Sequence, residues 1–503
     1  MHRRLDIGRE RSSHTGGRAC ESGYQATRVV CSRPVVTSVT PLGYRSFQQF
    51  CSLRVFELQI AFFSLFAHFA HFAHFAHFAH FFNSSHRSLP PLRARLLATQ
   101  LSTRYQLGEE SHGSMTHQEQ ESKKPLGLAS RAVHADDKIS AHRAVAPPMH
   151  VSTTFAYDKD PAKLVPNENV DPNNPNDSHI YSRESSPNAS RIEAVLTSLI
   201  GAPTLVYASG LAALHALFVH LNPRAIAIGS GYHGAHAIVS LLSRLTGLRI
   251  LTLEQLDELE KGDVVHVETP VNPTGEARDI AYYVRRARER GAYVTVDATF
   301  APPPLQDPFI WGADAVMHSG TKYFGGHSDL LLGTLSTRHE DWIQGLREDR
   351  AVLGATVGSL EGWLGLRSLR TLELRVRRQS ASAEKLVRWL EDERKKDGPV
   401  GQVVAQVKHA SLQDGDWVRQ QMPNGFGPVF AILLRDEEMA KALPSKLELF
   451  HHATSLGGVE SLIEWRAMSD ETVDRRLLRI SVGVEDEADL RADLLAGFEA
   501  LLG

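Results

Sequence analysis

The sequence predicts an α/β fold in which a mostly parallel sheet carries helices on both faces. From about residue 130 onward, short apolar runs of strand length alternate with longer stretches of helical periodicity. Alternation at this spacing is typical of parallel strands that are joined through helices. Polar residues also follow several of the apolar runs, and ligands of such sheets bind at the carboxyl ends of the strands.

The individual elements follow from this pattern. Predicted strands are Ala225–Ile228, Val264–Val267, Tyr293–Val296 and Ala315–Met317. Predicted helices include Ser190–Leu199, Gly210–His220, Ile280–Arg290 and Leu372–Glu391. A chain of 503 residues, of which 42% are hydrophobic, can bury a large core and is expected to form more than one domain.

Composition limits the function classes. The net charge of −3 is close to neutral for this length, and no continuous basic tract indicates nucleic-acid binding, so a small polar metabolite is the expected partner. The three cysteines, Cys20, Cys31 and Cys51, precede all of the candidate catalytic residues, which argues against a catalytic thiol or a disulfide framework. That pattern suits a reducing compartment such as the cytoplasm. The sequence also has no CxxC or HExxH spacing, so we expect no metal site.

The first 115 residues differ from the rest of the chain. A tandem Phe-Ala-His repeat runs from Phe66 to Phe82, and its period of three matches neither a helix nor a strand. A histidine metal ladder and a membrane anchor are both open interpretations, but we favour a poorly ordered extension or a mis-assigned start, with Met115 opening the ordinary sequence. Because residues 1–54 are rich in Arg and poor in acids, a mitochondrial transit segment is an alternative.

The strongest chemical signal is the segment Asp314-Ala-Val-Met-His-Ser-Gly-Thr-Lys-Tyr-Phe-Gly-Gly-His-Ser328. Lys322 follows a short apolar strand, comes after the hydroxyls of Ser319 and Thr321, and precedes two glycines. A lysine nucleophile needs a lowered pKa, which burial beside apolar or cationic groups provides, and the hydroxyls can hold phosphate oxygens. An ordinary surface turn is the alternative for this segment taken alone.

Two further segments support a cofactor site. Asp297 ends the apolar run Val294-Thr-Val-Asp297, where a carboxylate can pair with a protonated pyridine nitrogen, although such an Asp is more often a helix cap. Tyr207-Ala-Ser-Gly-Leu-Ala-Ala213 places a glycine turn before a helix, whose first backbone amides suit a phosphate. A plain helix start explains that second segment equally well.

Several motifs in order give the chain a specific resemblance. They are Tyr181-Ser-Arg183, Glu268-Thr-Pro-Val-Asn-Pro-Thr274, Ser455-Leu-Gly-Gly-Val-Glu-Ser-Leu-Ile463 and Leu478-Arg-Ile-Ser-Val-Gly-Val-Glu-Asp486. Together with the segments above, they resemble the Cys/Met metabolism family of pyridoxal-phosphate (PLP) enzymes from about Arg131 to the C-terminus. The resemblance implies a fold type I large domain (181–370), an N-terminal arm at a subunit interface (116–180) and a smaller α+β C-terminal domain (371–503).

The resemblance also implies residue roles. Lys322 would hold PLP as a Schiff base and act as the catalytic base, and Asp297 would bind the ring nitrogen. Tyr232 would stack on the ring as a further catalytic residue, while Arg479 would bind the substrate carboxylate beside Ser455. Asn272 would lie near the ring hydroxyl. The phosphate would be bound within the same chain by Gly210, Leu211, Ser319 and Thr321, and from a neighbouring subunit by Tyr181 and Arg183.

The activity that the resemblance implies is cleavage of a carbon–sulfur bond in cystathionine. The assembly that it implies is a homotetramer built of dimers that share active sites. The chain departs from the family pattern at Glu184-Ser-Ser-Pro187 and at Tyr232-His-Gly-Ala235, both of which would border the substrate pocket, and Trp465-Arg466 replaces a common His-Pro. Thr454 stands where members with γ-chemistry often have Glu, which favours β-elimination. The γ-replacement reaction of a cystathionine γ-synthase is the alternative, and a protein that kept the fold without catalysis is a remote one.

Overall fold

The computed structural model describes residues 125–140, 143–166 and 179–503. The predictions made for residues 1–115, including the Phe-Ala-His repeat and the transit segment, lie outside these residues, as does part of the predicted N-terminal arm. Residues 120–503 form one compact unit. Among the described helices, none is both long enough and apolar enough to cross a bilayer.

A seven-stranded sheet forms the centre of this unit. Its strands run in the spatial order β1-β7-β6-β5-β4-β2-β3, and only β7 is antiparallel to its neighbours β1 and β6. The predicted mostly parallel sheet is therefore confirmed. The strands are β1 (Thr204–Tyr207), β2 (Ala225–Ile228), β3 (Arg249–Leu251), β4 (Val264–Glu268), β5 (Tyr293–Asp297), β6 (Ala315–Ser319) and β7 (Gly333–Thr337).

The helices of this part of the chain have clear local signals. Ser186 caps the second helix, with Pro187 in its first turn and Gly201 in a left-handed conformation at its end. All four predicted helices are present, with ends that differ from the predictions by three residues at most. The helices up to residue 371 are α1 (Leu128–His134), α2 (Pro187–Ile200), α3 (Gly210–Leu221), α4 (His233–Thr246), α5 (Ile280–Arg290), α6 (Glu340–Leu353) and α7 (Ser359–Leu369).

A second, five-stranded sheet is formed by the C-terminal part of the chain. Its order is β10-β11-β12-β9-β8, and its apolar side packs with α8 and α12 into a separate buried cluster. Its strands are β8 (Val404–Lys408), β9 (Val429–Leu434), β10 (His451–His452), β11 (Leu462–Trp465) and β12 (Leu477–Ser481). Its helices are α8 (Leu372–Glu393), α9 (Pro399–Val403), α10 (Asp416–Gln421), α11 (Glu437–Ala442) and α12 (Glu487–Leu502). The predicted domain boundary at residue 370 falls between α7 and α8 and stays a prediction.

The two sheets meet around the loop that follows β6. Strands β4 and β5 are parallel and end together at Glu268 and Asp297, which are register partners. Gly457, in the loop before β11, approaches the backbone of Lys322 so closely that a Cβ atom there would lie 3.0 Å from the carbonyl carbon of Lys322. Its φ of +82° is also a conformation that favours glycine. The loop before β11 therefore lies directly against the loop that carries Lys322.

Candidate active site

A cavity of about 500 Å³ lies where the strand ends of the first sheet face the loop before β11. Such a volume suits a cofactor or a small substrate. Every site residue predicted from the sequence lines this cavity except Tyr181 and Arg183. The predicted residues that line it are Gly210, Leu211, Tyr232, Asn272, Asp297, Ser319, Thr321, Lys322, Ser455 and Arg479.

Lys322 presents its amine to this cavity. Its Nζ donates a hydrogen bond of 2.8 Å to Oγ of Ser455, which comes from the loop before β11. The pKa of Lys322 is lowered to about 8, mainly by burial and also by the positive charge of Arg479, while the negative charge of Glu464 opposes the change. A larger fraction of this amine is therefore neutral near pH 7 than in an ordinary lysine.

Arg479 is a buried arginine on β12, with 3% of its surface exposed. Its guanidinium donates to Oδ1 of Asn272 at 3.1 Å and to the carbonyl oxygen of Ser455 at 2.8 Å. It also forms a 2.6 Å ion pair with Glu464, its register partner on β11. Arg479 therefore points into the protein and not to solvent.

Two acidic side chains lie together at the ends of β4 and β5. Asp297 accepts hydrogen bonds from the backbone amide and the hydroxyl of Thr299, at 3.0 and 2.6 Å, and neither donor is a cation. Glu268 accepts from the backbone amides of Tyr232 and Asn272, at 2.7 and 2.6 Å. Burial raises the pKa of both carboxyl groups, and the neighbouring Asp297 raises that of Glu268 further.

Gly210 lets the start of α3 approach the end of β6 closely. A Cβ atom at Gly210 would lie 3.0 Å from Cβ of Ser319 and 3.1 Å from its Oγ. The first amides of α3, which have no partners within the helix, therefore lie beside the Ser319 hydroxyl, and Gly210, Leu211 and Ser319 all line the cavity. Thr321 lines the same cavity, and its Oγ1 accepts from the backbone amide of Leu332 at 3.0 Å.

Tyr232 lies at the start of α4, where it is the N-cap residue. The following helix leaves room for its ring, because a Cβ atom at Gly234 would lie 2.5 Å from the ring of Tyr232. Its backbone is fixed by the hydrogen bond to Glu268. The aromatic ring thus forms a wall of the cavity.

Tyr181 and Arg183 lie elsewhere in this chain. Tyr181 forms an isolated bridge with Thr154, and the Arg183 guanidinium donates to the carbonyl oxygen of Ala351 at 3.0 Å. Arg183 also lies over the Tyr181 ring, 5.5 Å from its centroid. Within one chain, therefore, these two residues are separate from the cavity, and their contribution from a neighbouring subunit stays a prediction.

Comparison with known proteins identifies the family. A model of the Cys/Met metabolism PLP-dependent enzymes matches residues 129–499. This chain belongs to that family. It is 33% identical to cystathionine gamma-synthase of Escherichia coli over 403 residues, covering 75% of this chain and 98% of that protein. It is 31% identical to cystathionine gamma-lyase of Saccharomyces cerevisiae, covering 73% and 96%.

Solved structures show the same fold. The crystal structure of yeast cystathionine gamma-lyase matches with a TM-score of 0.66 at 29% identity, covering 76% of this chain and 100% of that one. A methionine gamma lyase from Micromonospora echinospora matches with a TM-score of 0.65 at 33% identity, covering 74% and 99%. The predictions of the family, of a PLP-dependent enzyme and of PLP as the cofactor are confirmed.

The cavity of this Cys/Met metabolism enzyme fits PLP. Asp297 is a buried carboxylate whose donors are neutral, so a pyridinium nitrogen would supply the missing positive charge. The backbone amides at the start of α3 and the hydroxyl of Ser319 suit a phosphate, and the amine of Lys322 opens into the cavity that both groups line. The residues present thus match the three functional parts of the cofactor.

Several residues of this family site were not assigned from the sequence. Glu268 and Thr299 lie inside quoted motifs, and the ends of parallel strands β4 and β5 could have indicated that Glu268 lies beside Asp297. Glu464, Arg466 and Ser469 also belong to the site: Arg466 and Ser469 line the cavity, and Glu464 pairs with Arg479. Arg466 stands out in the sequence only as part of the Trp465-Arg466 departure from the family pattern. Glu464 and Ser469 have no signal there, and the place of Glu464 depends on the pairing of β11 with β12.

Proposed function

We propose that this enzyme is a carbon–sulfur lyase that cleaves cystathionine by β-elimination, giving homocysteine, pyruvate and ammonia. One observation carries the proposal: the amine of Lys322, with its lowered pKa, shares a cavity with the guanidinium of Arg479. A base and a carboxylate-binding group in one cavity are what removal of an α-proton from an amino acid requires.

The residues that would hold PLP follow from the cavity. Asp297 would bind the ring nitrogen and Tyr232 would cover one ring face. Asn272 would lie near the ring hydroxyl, and the phosphate would bind the amides of Gly210 and Leu211 with the hydroxyls of Ser319 and Thr321. When bound, PLP supplies an electron sink for the electrons left on the α-carbon of the substrate.

Lys322 and Arg479 would then have separate roles toward the substrate. Arg479 would hold the α-carboxylate, which fixes the position of the α-carbon. The neutral Lys322 amine would accept the α-proton, and the hydrogen bond to Ser455 would aim its Nζ. Departure of homocysteine from the β-carbon and hydrolysis of the remaining enamine, with one water consumed, give pyruvate and ammonia.

Thr454 supports β-elimination over γ-chemistry. It lines the cavity next to Ser455, and a threonine hydroxyl is a poor base. Expulsion from the γ-carbon would need a second proton to be removed from the β-carbon, and a carboxylate at this position would assist that step. The γ-replacement reaction is the alternative, supported by the similarity to cystathionine gamma-synthase.

The products formed from cystathionine test this proposal. Purified protein loaded with PLP should release pyruvate and homocysteine in equal amounts from cystathionine alone, and Lys322→Ala should abolish release. Arg475→Ala is a suitable control, because its guanidinium pairs with Glu437 on the exposed surface. Release of 2-oxobutyrate and cysteine would instead show γ-elimination. Turnover that requires both an activated homoserine and a thiol would establish a synthase.

Assembly and location are part of the same proposal. Tyr181 and Arg183 would complete the phosphate site of a neighbouring subunit, so the active unit is at least a dimer, and we expect a tetramer of two such dimers. We place the enzyme in the cytoplasm, with mitochondria as the alternative. Fractionation of cells would distinguish the two.

A further inference from the structure

A second buried arginine lies in the wall of the same cavity. Arg466 directly follows β11 and has 2% of its surface exposed. Its guanidinium donates to Oε2 of Glu464 at 3.0 Å and to Oγ of Ser469 at 2.8 Å. Both Arg466 and Ser469 line the cavity, so the arginine is part of the binding wall as well as of the hydrogen-bond network.

Charge in this cluster is not balanced. Oε2 of Glu464 is shared between Arg479, at 2.6 Å, and Arg466, at 3.0 Å, and the Ser469 hydroxyl donates to its Oε1 at 2.7 Å. Burial works to raise the pKa of Glu464, but Arg479, Ser469 and Arg466 together hold it below its usual value. One carboxylate therefore lies between two guanidinium groups, so these three side chains together carry one more positive charge than negative.

Arg466 also has unused hydrogen-bonding capacity. Among the residues that the structure describes, none accepts a hydrogen bond from its buried Nε. A buried donor without an acceptor is unfavourable, more so when it is part of a charged group. An anionic ligand in the cavity beside Arg466 would supply the missing negative charge.

We propose that Arg466 and Ser469 form a second anion-binding position, which selects amino acids with an acidic group at the far end of the side chain. This proposal rests on the proposed function, because Arg479 is taken to hold the α-carboxylate. An acidic end such as the distal carboxylate of cystathionine would pair with Arg466, while a neutral thioether would leave Arg466 with only the carboxylate of Glu464 that it shares with Arg479. Specificity of this kind arises from charged groups that only the correct substrate satisfies.

Two substrates of matched length test this selection. S-(2-carboxyethyl)cysteine and S-propylcysteine carry the same carbon–sulfur bond and differ in a carboxylate or a methyl group at the end. Arg466→Met should lower kcat/KM for the acid by about 10- to 100-fold, mainly through KM, as expected for loss of one charged hydrogen bond. The same change should alter kcat/KM for the neutral substrate by less than about threefold, and Arg466→Lys should retain part of the preference.

Arg475→Met is the matched control, because it removes an arginine of the same β11–β12 connection whose partner Glu437 is on the surface. It should leave both substrates unaffected. An equal loss for the acid and the neutral substrate in Arg466→Met would mean that Arg466 acts only through Glu464 and Arg479. Unchanged kinetics for both would also overturn the anion position.

A binding measurement separates this inference from the proposed function. Adipate should raise the Tm of the PLP-loaded wild-type enzyme more than hexanoate does, and Arg466→Met should remove the difference. If the wild type did not cleave cystathionine but still preferred adipate through Arg466, the proposed anion-binding position would be supported and the proposed lyase function would be refuted. Loss of that preference in Arg475→Met alone would refute the anion position.

Discussion

The lowered pKa of Lys322 predicts how the enzyme without cofactor captures PLP. Capture requires a neutral amine, and the pKa of Lys322 is about 8 in place of the ordinary 10.5. At pH 7, about one Lys322 in ten is therefore neutral, against about one in 3,000 for an ordinary lysine. We expect covalent capture at pH 7 to be about 300-fold faster than by an ordinary amine of equal reactivity.

Absorbance spectroscopy after rapid mixing measures this rate. Between pH 6 and pH 7 the capture rate should rise about tenfold, and it should level off above about pH 8.5, where most of the amine is neutral. The same titration with Nα-acetyllysine amide corrects for the protonation of PLP itself. A rate that kept rising to pH 10, as in the control compound, would contradict the assigned environment of Lys322.

Two substitutions should move the midpoint in opposite directions. Arg479→Gln removes a positive charge that disfavours the protonated amine, so the midpoint should move to higher pH. Glu464→Gln removes a negative charge that favours it, so the midpoint should move to lower pH. A shift of the same sign in both variants would show that local rearrangement, and not charge, controls the amine.

Two further predictions concern the phosphate site. Gly210→Ala places a Cβ atom 3.0 Å from Cβ of Ser319, so it should push apart two groups that we assign to the phosphate. We expect PLP to dissociate about tenfold more readily with little change in the Tm of the cofactor-free protein, measured by dialysis and calorimetry; unchanged retention would exclude the start of α3 as the phosphate position. Because Arg183 would act across a subunit interface, a mixed dimer of Lys322→Ala and Arg183→Ala chains would contain one site with both residues intact. Refolding the two inactive variants together should therefore restore part of the activity, and a mixture that stays inactive would place Arg183 outside the site.

Much of the site could be predicted from the sequence because its residues end predicted strands or begin predicted helices. Asp297 ends β5, Lys322 follows β6, and Gly210 opens α3, as the apolar pattern indicated. In a parallel sheet such positions meet at one edge, so strand prediction alone brings them together. Arg479 was assigned through the family resemblance, since its own strand, Leu477–Ser481, contains no local signal for burial of a charge.

Glu464 shows why the rest could not be predicted. Its position opposite Arg479 depends on the register of β11 against β12, and a shift by one residue would turn Glu464 to the other face of the sheet. Such registers are fixed by tertiary packing, here by the apolar neighbours Ile463 and Ile480, which are register partners in the C-terminal core. Arg479 lowers the pKa of Lys322 and Glu464 opposes this effect. The position of the Glu464 charge is therefore set by hydrophobic packing in the second sheet. Substitutions of Ile463 or Ile480 that slip the register should therefore change the reactivity of Lys322, although neither residue lines the cavity.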